Sequence, residues 1–274
     1  MNQKILKSII KDRPNPLLLC ENKCSNAFEL AIDYIKSINC KINDIFCDEC
    51  IDCKRINDLS YFDLYVVNGF NATVTKEEII KILNLFSYSS LEEKGNKFLI
   101  LSGIENCSKT VLNSLLKSVE NPPRNSFFIF ITRNANLVLP TIRSRCSSFL
   151  LKSDLNKAKE ILFNKKIEEI DMLNLCNLYF STREMIENFD NGKYQKHMKI
   201  INSIYESINN FPLQKKVLSE FKKLDYPDLR VILNFISINK TEKIKSEIYY
   251  LINSLKYKIN KTLIFSVLLN ALNS

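Results

Sequence analysis

Four cysteines near the start of the chain have the type and spacing for metal chemistry. They are Cys40, Cys47, Cys50 and Cys53, in the pattern C-x6-C-x2-C-x2-C. Two-residue gaps let neighbouring thiolates meet one ion, and the longer gap lets the first cysteine return from a helix end. Four thiolates close a tetrahedral zinc shell with no open position, so the expected role is structural rather than catalytic. An iron–sulfur cluster uses the same donor set, and a group of unrelated buried or redox-active thiols is the metal-free alternative. A second candidate is Arg145, in the segment from Leu137 to Cys146 that follows the apolar run Phe127 to Ile131. An all-apolar run of five reads as a strand buried on both faces of a covered parallel sheet. An arginine just beyond such a layer is a solvated rim charge or a cation aimed at a phosphate, and the first is the commoner case.

Two places where phosphate chemistry is expected do not carry it. Leu17 to Phe28 reads as strand, tight polar turn and helix, the position of a phosphate-binding loop. Such a loop needs glycines whose N–H groups wrap the phosphates, then a Lys and a Ser/Thr at the helix start. Here Glu21 would set a negative charge beside a triphosphate, Lys23 and Ser25 fall inside the turn, and Ala27 and Phe28 open the helix. After the strand Phe98 to Leu101 an Asp–Glu pair would hold magnesium and orient water. The chain has Ser102-Gly103-Ile104-Glu105 instead, and Glu105 alone is expected as a solvated turn residue.

The elements that must position these residues alternate. An amphipathic helix over 3–11 precedes a strand at 16–20 and a helix at 26–37. A strand at 63–67 and a helix at 75–86 follow, the helix with the apolar stripe Ile79, Ile80, Ile82, Leu83 and Phe86. Next come a strand at 97–101, a helix at 108–119, the strand at 127–131 and a closing strand at 148–151. Strands alternating with helices at this spacing indicate an α/β domain around a largely parallel sheet. Beyond residue 152 the periodicity is helical almost throughout, first in short pieces to about 190 and then in a bundle with Pro212 and Pro227 near helix starts. His197, the only histidine, is expected on a helix surface without partners.

The 274 residues suffice for two or three domains, and 46% hydrophobic content with only 4 Gly and 7 Pro describes a helix-rich globular chain. The start is charged and amphipathic, unlike a signal peptide, and no apolar run approaches a membrane span, so a cytoplasmic location with no membrane partner is expected. Nine cysteines without an export signal argue against a disulfide framework. The net charge is +9, and most of it lies in residues 151–274, with 20 Lys/Arg against 14 Asp/Glu. That balance favours a polyanion nearby, nucleic acid among the candidates.

The phrase NSLLKSVENPP from Asn113 to Pro123, followed by LPTIRSRC from Leu139 to Cys146, resembles the bacterial clamp-loader subunits of DNA polymerase III. These are AAA+ proteins whose pattern is close to NALLKxxEEPP and then LPTIxSRC. The cysteine cluster falls where they carry a zinc module, with a shorter first spacer here, and Asn260 to Leu272 is similar to the last helix of their oligomerising collar. Their ATP-hydrolysing subunits keep the glycine-rich loop and the Asp–Glu pair. Their delta subunits usually lack both the cysteine module and Ser-Arg-Cys. The best match is the delta-prime branch, which has the fold and the zinc module, commonly lacks the ATPase residues and keeps Ser-Arg-Cys.

The resemblance implies a degenerate AAA+ α/β domain with zinc at 1–152, a small helical lid at 153–192 and an all-α collar at 193–274. It implies structural zinc, no bound ATP and no ATP hydrolysis by this chain. It also implies partnership with the gamma/tau ATPase subunits and delta, and action on the sliding clamp and primed DNA through the complex. Arg145 takes the place of an arginine finger reaching a neighbour's ATP in trans, with Ser144 and Cys146 shaping its loop. Thr132 falls where the family has its sensor-1 threonine, here a strand-end hydroxyl, and Arg143 is a surface charge. Two other classes stay open at this point: an active gamma/tau-like ATPase with a cryptic nucleotide site, and a stand-alone zinc-containing nucleic-acid-binding protein.

Overall fold

A computed structural model describes residues 2–42, 45–70, 72–238 and 240–273. The chain divides into two compact units, Met1–Asp154 and Leu155–Ser274. The first is built on five strands: β1 (Leu17–Cys20), β2 (Leu64–Asn68), β3 (Lys97–Ser102), β4 (Ser126–Thr132) and β5 (Ser147–Leu150). All neighbours pair in parallel, in the order β2-β3-β4-β1-β5. Successive side chains in a strand point to opposite faces, so register decides which residues share a layer. Ile100, Ile129 and Leu17 lie side by side and face one way, while Leu101, Phe130 and Leu18 face the other.

Each face is covered by helices whose apolar stripes match it. On the first, α1 (Asn2–Asp12) and α2 (Ala27–Asn39) bring Leu6, Ile9, Leu30, Ala31, Tyr34 and Ile35. On the second, α4 (Lys76–Ser87) and α5 (Lys109–Glu120) bring Ile79, Ile82, Phe86, Val111, Leu112 and Leu115. Both helices of the second layer start on a capping hydroxyl. Thr75 Oγ1 accepts from Glu78 N at 3.2 Å, and Ser108 Oγ from Val111 N at 3.3 Å. Ile80, placed on the apolar stripe by sequence, is exposed. Two short helices, α3 (Ile51–Asn57) and α6 (Pro140–Arg143), were not anticipated from the sequence, because neither is long enough to show a period.

The second unit is all helical: α7 (Leu155–Asn164), α8 (Glu169–Leu178), α9 (Thr182–Asp190), α10 (Lys193–Ser207), α11 (Phe211–Lys223), α12 (Tyr226–Ser237), α13 (Glu242–Ser254) and α14 (Lys261–Asn273). Pro212 and Pro227 sit in the first turns of α11 and α12, where a missing N–H costs no helical bond. Asn210 and Asp225 cap those helices. Among the described residues no helix is long and apolar enough to cross a membrane.

His197 is not on a surface. It is fully buried on α10, with Nδ1 3.0 Å from the Tyr179 hydroxyl and Nε2 3.2 Å from Asp228 Oδ1 on α12. Lys193 Nζ reaches the same carboxylate oxygen. A lone histidine with no neighbours in sequence gave no sign of this, because its partners come from an α8 end and from another helix. Burial by itself would push the Asp228 carboxyl up, but the contacts from His197 and Lys193 outweigh it and hold the group down at about 2. Its folded value lies below the ordinary ~3.9 of an unfolded aspartate, so the stabilisation is complete above that value and fades as the pH falls toward 2. Asp228→Asn is therefore expected to lower stability by about 2–3 kcal/mol at pH 7. In denaturant titrations at a series of pH values the gap to the parent chain should narrow from about pH 4 downward.

Candidate functional site

The carboxyl ends of β1, β3 and β4 lie side by side, and the residues that follow them meet. Glu21, just past β1, is buried, and its Oε2 pairs with Arg133 Nε at 3.1 Å. Its other oxygen accepts from Ala27 N at 3.4 Å, at the start of α2. Asn26, the N-cap of that helix, makes no side-chain cap. A helix start gathers unsatisfied N–H groups and favours an anion. Here the chain supplies the anion itself. The turn between Glu21 and α2 is closed by Ser25, whose hydroxyl accepts from Asn22 N at 3.0 Å and donates to Asn22 O at 2.6 Å.

Arg133 is held from three sides. Besides Glu21, its backbone N donates to Glu105 Oε1 at 2.9 Å, and its guanidinium lies 3.9 Å from the centroid of the Phe70 ring. Glu105, expected as a solvated turn residue, instead ties the end of β3 to the end of β4, with its second oxygen buried. Phe70 gets there because Gly103 permits it. Gly103 has φ +70, and a Cβ on it would sit 2.6 Å from Gly69 C and Phe70 N. Thr132 is fully buried, and its hydroxyl accepts from Asn134 N at 3.1 Å, so it serves the local turn.

Arg145 lies on the opposite margin of the same layer, in the turn after α6. Its Nη1 donates to Thr141 O at 2.8 Å, and its Nη2 pairs with Glu120 Oε1 at 2.7 Å, with both side chains about two-fifths exposed. Ser144 Oγ donates to Thr141 O at 3.3 Å. Cys146 packs against the core under α4 and α5, and burial pushes its thiol up to about 12, so it acts as an apolar anchor. Arg143 Nη1 donates to Ala135 O at 3.2 Å.

The four cysteines converge. Cys40 is the C-cap of α2, Cys50 the N-cap of α3 and Cys53 lies in its first turn. Between Cys47 and Cys50 the chain turns at Asp48 in the left-handed region, φ 57. The four Sγ atoms lie within 4.8 Å of one another, and tetrahedral Zn–S bonds of ~2.3 Å require sulfurs ~3.8 Å apart, so the set fits a closed shell with little movement. Backbone N–H groups already point at two sulfurs: Cys50 N lies 3.3 Å from Cys47 Sγ, and Cys53 N 3.4 Å from Cys50 Sγ. Buried Lys36 of α2 fastens the loop, reaching Asp48 Oδ1 at 2.6 Å and Asp33 Oδ1 at 2.8 Å while lying over the Phe46 ring. Residues 43 and 44 of the first spacer fall outside the described residues.

The parallel order β2-β3-β4-β1-β5 with helices on both faces makes the first unit an open α/β sheet, a class in which ligands bind outside the carboxyl ends of the strands. The family model described as "DNA polymerase III, delta subunit" matches residues 2–154, and the chain belongs to that family of clamp-loader subunits. A Mycoplasma pneumoniae protein named "Uncharacterized protein MG007 homolog" is 25% identical over 255 residues, 93% of this chain and 97% of that one. The DNA polymerase III subunit delta' of Bacillus subtilis is 25% identical over 234 residues, 82% of this chain and 71% of that one. Among solved structures, a DNA polymerase III gamma subunit-related protein from Thermotoga maritima superposes with a TM-score of 0.60 over 98% of both chains at 16% identity.

The Glu21–Arg133 pair is largely buried, so neutralising Glu21 removes a charge partner from Arg133 where water screens little. Glu21→Gln keeps the shape of the contact and should lower stability by about 2–3 kcal/mol. Chemical denaturation followed by far-UV circular dichroism checks this, and a midpoint equal to that of the parent chain would show that the pair contributes nothing.

Proposed function

We propose that this chain is the non-catalytic delta-prime subunit of a DNA polymerase III clamp loader, which places the sliding clamp on primed DNA. Family membership carries the general role, and the delta' name of the Bacillus subtilis relative supports the particular one. The observation that most favours a subunit without ATP hydrolysis is Glu21. A carboxylate sits at the α2 start where a phosphate-binding loop would hold a phosphate, and a second negative charge there is repelled. With Glu105 engaged by Arg133 N, the end of β3 offers no Asp–Glu pair for magnesium.

In this proposal Arg145 acts on a neighbouring gamma/tau ATPase subunit. A guanidinium beside the γ-phosphate neutralises charge that develops as the phosphoryl group leaves, an effect of ~10³–10⁵ in rate in other phosphoryl-transfer systems. Its planar fork is held at one margin by Thr141 O and Glu120, and the side chain stays accessible. Ser144 and Cys146 shape the turn that carries it. The second unit then comprises a lid to about residue 192 and a collar from 193 onward through which the subunits assemble, with delta among the partners. Cys40, Cys47, Cys50 and Cys53 hold structural zinc, supported by the donor set and its spacing.

In a reconstituted complex, Arg145→Ala is expected to leave assembly intact and to cut ATP turnover and clamp loading at least tenfold. Turnover equal to that of the parent complex would remove the finger role. Elemental analysis of the purified chain should give about one zinc per chain. The pair Cys47→Ser and Cys50→Ser should release it and lower the melting temperature by several degrees. A folded parent chain with far less than one equivalent would sink the zinc assignment. ATP retained tightly by the isolated chain would instead favour an active ATPase.

A further inference from the structure

The last residue of α5 is an acid in the wrong place for the helix. Carbonyl groups at a helix C-terminus leave a partial negative charge, which favours cations there and disfavours a carboxylate. Lys117, one turn earlier, obeys that preference and Glu120 does not. What Glu120 does have is Arg145, whose Nη2 lies 2.7 Å from its Oε1. The other terminal nitrogen, Nη1, is taken by Thr141 O at 2.8 Å, with Ser144 Oγ at 3.5 Å. Two acceptors from different helices, Glu120 on α5 and Thr141 on α6, therefore fix the orientation of one planar group.

We infer that Glu120 is a positioning residue for Arg145, setting the guanidinium in the orientation from which it reaches a phosphate on a neighbouring subunit. The inference rests on the proposed finger role of Arg145. Arginine has five N–H donors in a rigid fork. Glu120 engages Nη2 and Thr141 O engages Nη1, which leaves other N–H bonds of the five for a ligand outside the chain. The pair is partly exposed, 39% and 42% for the two side chains, so water screens it and the group is oriented without being locked. The contrast with Arg133 is instructive. That guanidinium pairs with a carboxylate only 4% exposed and is covered by Phe70, an arrangement suited to holding a fold together.

The test compares Glu120→Ala, Glu120→Gln, Arg145→Ala and the double variant Glu120→Ala/Arg145→Ala in the reconstituted complex. Assembly is followed by gel filtration and ATP turnover by steady-state kinetics. Glu120→Ala is expected to assemble normally and to lower kcat about two- to fivefold with KM for ATP unchanged, the range of an exposed ion pair. Glu120→Gln keeps an acceptor for Nη2 and should recover most of that loss. In the Arg145→Ala background the Glu120→Ala change should have no further effect. Three results overturn the inference: kcat unchanged by Glu120→Ala in a complex that Arg145→Ala does slow, a Glu120→Ala effect that persists without Arg145, or a loss confined to assembly. If Arg145→Ala itself leaves turnover unchanged, the finger role fails and the positioning role falls with it.

Discussion

All five strands of the sheet run the same way, and that constraint organises everything the first unit does. A parallel strand covered on both faces must be apolar along its length, so polar residues are driven to its ends. Because the strands are parallel, all the carboxyl ends open on one edge. Residues far apart in sequence, Glu21, Phe70, Glu105 and Arg133, are thereby delivered to one place. In a nucleotide-binding protein of this architecture that edge holds phosphates. Here it holds an ion pair and an aromatic ring from the chain itself.

The two arginines at the margins of this layer show how burial decides what a charge does. Arg133 faces a carboxylate removed from water and a ring that excludes water further, so its interactions are strong and its position is set. Arg145 is half-exposed on a turn anchored below by Cys146, and its partner Glu120 is equally wet. A charge tied in the first way contributes to stability. A charge tied in the second remains available to something outside the chain. The chain thus has one arginine paired at the carboxyl-end edge of the sheet and another, partly exposed, at its periphery.

The cysteine cluster follows the same logic of supports. Cys40 leaves a helix and Cys50 begins one, so two rigid ends face each other across the loop. Lys36, buried beneath Asp33 and Asp48, ties that loop to α2 and so to the sheet.

Sequence alone determined what depends on local pattern. The five strands, the longer helices between them and the change to an all-helical second part are legible because apolar periodicity reports which side of an element faces the core, while the short α3 and α6 show no period. The cysteine spacing was legible for the same reason, since two-residue gaps act over a single turn. Glu21 stood out as a charge where a phosphate loop needs glycine, but the sequence could not say what it does there. Only the tertiary structure decided that it caps α2 and pairs with Arg133, that Glu105 is engaged rather than solvated, that His197 is buried against Asp228 and Tyr179, and that Glu120 faces Arg145. Each of these contacts joins residues from separate elements. Which ends meet is settled by sheet order and helix packing, and no local run of residues records either.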